Sequence, residues 1–334
     1  MSFPIHRVNE RELGADWAGE VFVCDIDRTY LATRFSSLRA MARIPVEFAV
    51  DKQDIAGMVS LLKEVRRGPG PESRHTPLYF LSASPAQLRP VIERKMLLDG
   101  VEFDGTTFKD WRKVLLSGRV RRFREQVGFK LTALLAGRRE LPVGAREVLI
   151  GDDLESDALI FALYADLLAR RLPRARAASV LEGQGVAAGD ARAIVAVLED
   201  IPEIDGVRRA YIRLERHRDP EVFAEWAPHV VACRGAFQMA VSLWDAGSIA
   251  ASAVSRVATS LLSAGETPDG LAKEVADCVQ RAMIPVERGE EIGRQLSARG
   301  LSLPAIANAA VNPRWRAITA RATWTPTRFL CGAV

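Results

Sequence analysis

Apolar residues along this chain recur in two patterns. The first is a set of short unbroken blocks: "VFVC" (21–24), "LYFL" (78–81), "EVLI" (147–150), "RAYIRL" (209–214) and "HVVAC" (229–233). Blocks of this length predict strands covered on both faces. Between them run longer segments of helical period, among them "DIAGMVSLLKEVRRG", "PAQLRPVIERKMLLDG" and "DALIFALYADLLARRL". Strands alternating with helices predict an α/β fold, a doubly wound parallel sheet wrapped by helices.

After Gly247 the pattern changes. "SIAASAVSRVATSLLSAG", "TPDGLAKEVADCVQRAMI", "GEEIGRQLSARG" and "LPAIANAAVNPRWRAITARA" read as helices separated by Gly or Pro, without strands. The predicted organisation is an α/β domain over 1–247 and a helical C-terminal accessory region over 248–334. Within the first, about 170–205 reads as a helical insertion, and "RRGPGPESRHTP" (66–77) as a surface connection. No internal repeat or low-complexity tract is visible.

Composition alters this picture little. With 334 residues, 48% hydrophobic and 26% charged, the chain has the make-up of a globular protein. Its 46 basic against 42 acidic residues give a net charge of +4, a mild pull toward anionic partners that does not choose among phosphates, acidic lipids and nucleic acid. There is no specific nucleic-acid motif. The N-terminal "MSFPIHRVNERELG" lacks the basic-then-apolar order of a secretory signal. The longest apolar runs, such as "ALIFALYADLLA" (158–169), fall short of the roughly 20 residues of a membrane span. Cys24, Cys233, Cys278 and Cys331 are scattered, without zinc-site or disulfide spacing, and the four histidines have no ligand spacing. The expectation is a reduced, cytoplasmic protein without a transmembrane segment.

Chemistry is concentrated where the first three strands end, which is where a doubly wound sheet gathers reactive groups. "VFVC" runs into Asp25-Ile-Asp27-Arg28-Thr29, "LYFL" into "SASP" beginning at Ser82, and "EVLI" into "GDDLESD", with Asp152, Asp153 and Asp157. Lys130 lies on a helical segment upstream of the third of these. Asp25, Asp27, Asp152 and Asp153 converging on one crevice would repel one another and raise one another's pKa values. A divalent cation relieves this, and magnesium favours a few carboxylates with waters and phosphate oxygens. Ser82 and Lys130 complete a pocket for a tetrahedral dianion, suited to phosphoryl transfer.

Taken in order, DxDxT, strand-end Ser, upstream Lys and GDDxxxD resemble the haloacid dehalogenase superfamily, mostly magnesium-dependent phosphatases. A narrower resemblance, carried by "DIDRTYLATRF", "PLYFLSASPAQLRPVIERKML", "FKDW", "FKLTALL" and "VLIGDDLESDALIFALYADLL", is to the phosphatidate phosphatase App1 catalytic-domain family. It spans about 20–170, more loosely to 247. Arg28 stands where that family often has an acidic residue, and Asp153 where it usually has a small one. The resemblance implies Asp25 as nucleophile and Asp27 as general acid and base, with Thr29 supporting Asp27. It implies Ser82 and Lys130 as phosphoryl contacts. Magnesium would be held by Asp152, with Asp153, together with Asp25 and the Asp27 carbonyl. Asp157 would orient Lys130 or a metal-bound water. The implied substrate is a phosphatidate-type lipid, met by a protein peripheral to the membrane.

Other readings stay open. The same centre would serve a protein, nucleic-acid or small-molecule phosphate. A binding or regulatory module derived from this fold is a different class, and retention of Asp25 and Asp27 speaks against it. Ser84 competes with Ser82, and either Asp152 or Asp153 can be the ligand, the other serving as a helix N-terminal charge. In "FKDW" the residues predict a packed Trp111 beside an exposed Lys109. "NPRWRAITARATWTPTR" (312–328) reads as an amphipathic segment packed on the core or touching a membrane surface.

Overall fold

The computed structural model describes residues 3–32, 53–116, 125–215, 218–226, 229–301 and 311–319. Its centre is a seven-stranded sheet: β1 (Ile5–Asn9), β2 (Gly19–Asp25), β3 (Leu78–Pro85), β4 (Gly105–Lys109), β5 (Ala145–Asp152), β6 (Val207–Arg213) and β7 (Val230–Cys233). The strand order is β1-β4-β3-β2-β5-β6-β7. Every pairing is parallel except that of β1 with β4. The α/β class predicted from the sequence is therefore borne out, with a mostly parallel sheet. From β2 the chain builds outward to β3 on one side and to β5 on the other, so the order reverses at the carboxyl end of β2. Open α/β sheets leave a crevice at such a point.

Two strands escape the sequence reading. Both β1, "IHRVN", and β4, "GTTFK", are short and carry polar residues, so neither forms an apolar block. They pair with each other at the sheet edge. The exposure expected for Lys109 is corrected: its side chain is fully buried. Its ammonium donates to the Glu125 carbonyl at 3.0 Å and lies over the Phe3 ring, 5.0 Å from the centroid, so a cation–π contact and a carbonyl replace water. Trp111 is packed as expected, its indole N–H donating to the Ala83 carbonyl at 3.0 Å.

Twelve helices occur among the described residues. The first five are α1 (Met58–Arg67), α2 (Arg89–Asp99), α3 (Trp111–Leu116), α4 (Val127–Glu140) and α5 (Asp157–Leu168). α6 (Arg174–Gly183) and α7 (Ala188–Val197) fall within the predicted insertion, and α8 (Ala236–Asp245) follows β7. The C-terminal set is α9 (Ala251–Ser263), α10 (Pro268–Gln280), α11 (Val286–Ser297) and α12 (Pro313–Thr319). Local signals explain several ends. α2 stops at Gly100, in the left-handed region at φ 67°, with Val101 N–H returning to the Met96 carbonyl. α10 begins with Thr267, whose hydroxyl accepts from Gly270 N–H, followed by Pro268.

Alternation along the strands divides the core. On one face Phe22, Cys24, Phe80, Ile150 and Tyr211 join residues of α1, α2 and α8 through α11 in one cluster. On the other face Leu81, Leu149, Ala210 and Ile212 join α4 through α7. α5 explains why "DALIFALYADLL" is so apolar: eleven of its twelve residues are buried. The C-terminal helices α9 and α10 pack on α8, and α9 also on α1, in the cluster that contains Phe22 and Cys24. Trp315 of α12 is also buried, with the Arg281 guanidinium 5.8 Å from its ring centroid. Residues 320–328 of the amphipathic segment lie outside the described residues. No helix among the described residues is long and apolar enough to cross a membrane.

One buried polar contact within the second face offers a test. Tyr164 O–H donates to Glu147, with both oxygens within reach at 2.8 and 3.0 Å, and burial pushes the Glu147 carboxyl up to about 7. The folded chain then holds this proton over an interval in which the unfolded chain has released it. Stability from this group accordingly falls as pH rises through that interval. A hydrogen bond to an ionised partner is worth more than one to a neutral partner. Tyr164→Phe should therefore cost about 1 kcal/mol at pH 5.5 and about 2 kcal/mol at pH 8 in urea denaturation. Equal losses at the two pH values would contradict this account.

Candidate active site

The polar strand ends meet at the carboxyl end of β2. Asp25 is the last residue of β2 and Asp152 the last of β5, while Ser82 and Ser84 lie near the end of β3. After Asp25 the chain turns at once: Tyr30 and Leu31 N–H both return to the Ile26 carbonyl, and Arg28 N–H donates to the Leu31 carbonyl at 2.7 Å. Arg28 adopts the left-handed region at φ 67°, which is uncommon for a residue with a side chain. Asp25, Asp27, Asp152, Asp153 and Asp157 are all buried.

Lys130 is the centre of charge. It sits in the first turn of α4 among Phe129, Leu131 and other buried residues, and is itself fully buried. Its ammonium lies 2.8 Å from Asp25 Oδ1, 3.1 Å from Glu155 Oε2 and 2.5 Å from Asp157 Oδ1. Burial alone would lower its pKa. The carboxylates of Asp157, Asp25 and Glu155 overturn that and raise it well above the ordinary value, so it stays an ammonium. Burial raises the Asp25 carboxyl well above its usual range, with Lys130 pulling the other way. Asp157 is raised for the same reasons.

Asp27 occupies a different environment. The Ser82 hydroxyl donates to its Oδ2 at 2.7 Å, and the Ser84 hydroxyl reaches the same atom at 2.9 Å. Burial lifts its pKa to about 6 against the lowering effect of the serine hydrogen bonds. The two serines are two residues apart on a strand and so share a face. The sequence reading set them as rivals, whereas both engage Asp27. Thr29, expected to support Asp27, is fully buried, but its hydroxyl has no hydrogen-bond partner.

The two adjacent aspartates also part company. Asp152 Oδ1 accepts from Leu154 and Glu155 N–H at 2.6 and 3.1 Å, closing the turn after β5. Burial lifts its carboxyl to about 7. Asp153 Oδ1 instead accepts from Glu215 N–H at 2.8 Å, and its Oδ2 lies 3.6 Å from Arg218 Nε. It faces the loop after β6.

Among the described residues, the carboxylates with oxygens within 4.8 Å of one another are Asp25, Glu155 and Asp157. Of the predicted quartet only Asp25 belongs to this group, because Asp27 turns to the serines and Asp153 to the β6 loop. Glu155 was not singled out in the sequence; only its place inside "GDDLESD" hinted at it. Gln126 donates to Glu155 Oε1 at 3.1 Å. A hard divalent cation fits this donor set, which offers carboxylate oxygens. Asp25 Oδ2 and Asp152 Oδ2 are buried without a hydrogen-bond partner. Three clustered carboxyl groups also outnumber the single ammonium, an excess that such a cation would offset.

Asp157 reaches Lys130 only because residue 151 is glycine. A Cβ there would lie 2.3 Å from Asp157 Oδ2 and 2.8 Å from its Cβ, and Asp152 N–H donates to that same Oδ2 at 3.2 Å. Gly151→Ala should push Asp157 off Lys130 and destabilise the fold by roughly 1–3 kcal/mol. Thermal denaturation beside Asp157→Ala measures this. A Gly151→Ala protein as stable as the parent would show that the close contact is not needed.

No curated protein and no solved structure matches the chain. One family model does, described as phosphatidate phosphatase APP1, catalytic domain. It runs from within β2 to the middle of α6 and therefore contains Asp25, Asp27, Ser82, Lys130, Asp152 and Asp157. The family resemblance read from the sequence holds over this segment: residues 21–178 match the catalytic domain of phosphatidate phosphatase APP1.

Proposed function

We propose that the protein is a magnesium-dependent phosphomonoester hydrolase built on a doubly wound core of the haloacid dehalogenase type. It acts on a phosphatidate-type lipid through an aspartyl-phosphate. The family match supports a phosphatase of this substrate class. The observation that carries the mechanism is the contrast between the two carboxylates at the end of β2. Asp25 is paired with the buried ammonium of Lys130, while Asp27 is held by two hydroxyls, with a pKa near 6. One is suited to attack and the other to proton transfer.

In this reading an Asp25 carboxylate oxygen attacks phosphorus and the ester oxygen leaves, taking a proton from Asp27. Asp27 then removes a proton from water, which attacks the aspartyl-phosphate and releases inorganic phosphate and free Asp25. Lys130 offsets charge on Asp25 and, with Ser82, contacts the phosphoryl oxygens. Asp157 holds Lys130 in place. Asp25 and Asp152, each with a buried Oδ2 that lacks a hydrogen-bond partner, and the Asp27 carbonyl are the proposed magnesium holders, with Glu155 of the convergent trio beside Asp25. The metal would supply charge neutralisation at the phosphoryl group. Asp153 is assigned to the β6 loop, since a backbone N–H and Arg218 already face its oxygens. The working unit is residues 1–247, buttressed by helices of 248–334. Without a spanning helix among the described residues, it would meet lipid peripherally, from the cytoplasmic side.

A second reading has its own observation. A cleft beside the centre is lined by Glu125, Gln126, Ser156, Glu182 and Gln184. Beside Val127, Val186 and Ala187, the Gln126 and Gln184 amides and the Ser156 hydroxyl there can hydrogen-bond a hydrophilic leaving group, as in a small-molecule, nucleic-acid or protein phosphate.

The deciding experiment is phosphate release from a panel containing phosphatidate vesicles and soluble phosphomonoesters, with and without magnesium. Activity should require magnesium and fall at least 1,000-fold in Asp25→Asn, the order expected for loss of a covalent nucleophile. Release by Asp25→Asn at the parental rate would refute the mechanism. Turnover of soluble esters alone would select the second reading, and no release from any member would leave a binding module.

The pH profile supplies an independent check. Phosphorylation of Asp25 needs protonated Asp27, so kcat/KM should fall as pH rises through the Asp27 pKa. The Ser84 hydrogen bond lowers that pKa. Ser84→Ala should therefore move the falling limb upward by about half a unit to one unit. A downward shift would contradict the assignment.

A further inference from the structure

The turn that follows Asp25 and Asp27 is gripped from outside by a residue the reaction scheme does not use. Arg213 is the last residue of β6, and its side chain is 9% exposed. Its Nε and Nη2 both donate to the Arg28 carbonyl, at 2.9 and 2.5 Å. Arg28 is the residue in the left-handed region, immediately after Asp27. The two guanidinium hydrogen bonds hold the Arg28–Thr29 peptide by its carbonyl, and the bond from Arg28 N–H to Leu31 holds the Asp27–Arg28 peptide, so both peptides flanking Arg28 have little freedom to rotate.

Arg213 is itself held. Its Nη2 donates to Glu215 Oε2 at 2.8 Å, while Glu215 Oε1 accepts from Arg28 Nη1 at 2.8 Å. The carboxylate of Glu215 thus bridges the two guanidinium groups, one on each oxygen. Its own N–H donates to Asp153 Oδ1, and Asp153 N–H donates to the Arg213 carbonyl at 3.0 Å. The loops after β2, β5 and β6, three neighbouring strands, are tied into one unit. Asp27 is fixed by Ser82 and Ser84 on the β3 side and, through the next peptide, by Arg213 on the β6 side. A planar fork able to serve one carbonyl with two donors and a carboxylate with another is specific to arginine.

We propose that Arg213, oriented by Glu215, is a positioning residue for phosphoryl transfer: by clamping the left-handed Arg28 peptide it fixes Asp27 relative to Asp25. This rests on the phosphohydrolase reading, so its test carries one arm that does not need turnover. Catalytic geometry tolerates displacements of about 1 Å poorly. Replacing Arg213 should therefore lower kcat more than it raises KM.

The experiment compares the parent with Arg213→Ala, Arg213→Lys and Arg213→Ala combined with Arg28→Gly, on whichever phosphomonoester the panel shows to be turned over. Arg213→Ala should lose about 10- to 100-fold in kcat with KM within about threefold. Millimolar guanidinium should restore part of that loss. Arg213→Lys, which keeps the charge and lacks the fork, should remain impaired. Arg28→Gly should recover several-fold in the Arg213→Ala background, since glycine accepts the left-handed region without a clamp. A raised KM with parental kcat would make Arg213 a substrate contact and overturn the proposal, as would parental kinetics throughout.

Amide hydrogen exchange decides the matter without catalysis. Arg213→Ala, and Arg213→Lys should the alanine variant not fold, should speed exchange at Arg28 and Leu31 by tenfold or more, a local opening. Amides of β1 and β4 should stay at the parental rate. Unchanged exchange at Arg28 and Leu31 would overturn the proposal. Should the parent release no phosphate from any substrate, the phosphohydrolase reading fails and this arm alone judges the clamp.

Discussion

A single ammonium buried among carboxylates is the constraint around which this structure is organised. Lys130 has no water to solvate it, and Asp25, Glu155 and Asp157 stand in for that water. Neither sign of charge could be buried there alone, because an unpaired ion in such a place costs several kcal/mol. The arrangement therefore demands that three separate pieces of chain arrive together: the end of β2, the first turn of α4 and the start of α5. Each has an apolar reason for being there. β2 is the middle strand, α4 is buried along its first nine residues, and eleven of the twelve residues of α5 are enclosed. The hydrophobic core sets the polar centre by fixing the segments from which it projects.

Local detail then separates groups that look alike. Asp25 and Asp27 are two residues apart, yet one meets an ammonium and the other two hydroxyls. Asp152 and Asp153 are adjacent, yet one closes its own turn and the other ties down the loop of the next strand. In each case the backbone turn, and not the side chain's chemistry, decides the neighbours. Glycine at 151 belongs to the same logic, since the space a methyl group would fill is occupied by a carboxylate.

Much of this was legible in the sequence, for identifiable reasons. The buried parallel strands show as unbroken apolar blocks, and polar residues at their ends stand out against those blocks. That contrast exposed Asp25, Asp27, Ser82 and the "GDD" run. The edge strand β1 and its neighbour β4 gave no such contrast, because residues such as Arg7 and Thr107 interrupt the apolar pattern; the two bond to each other at 2.9 Å. Lys109 was misjudged because nothing in "FKDW" reveals that two aromatic rings, Phe3 and Phe129, close over its ammonium from distant parts of the chain. Glu155, Arg213 and Glu215 were invisible for a related reason. Their partners lie on other elements, and a lone charged residue in a loop or at a strand end reads as solvated until its neighbours are known. Grouping of carboxylates by spacing also failed, since the three that converge come from a strand end, a loop and a helix start.

The cluster on the face bearing Phe22 and Cys24 has a consequence for how the protein comes into being. Those two residues lie just before Asp25, in one cluster with Val254, Val257, Leu271, Val275 and Ile292 from α9, α10 and α11, helices that add an outer layer over α1 and α8. During synthesis the strand that presents Asp25 leaves the ribosome early, while part of its apolar roof is made near the end. For most of translation one face of that strand is therefore incompletely shielded, a condition that invites aggregation or chaperone attention. The centre matures only when the far end of the chain has been delivered. A chain stopped at residue 247 would leave apolar residues of α1 and α8 without the helices that pack on them.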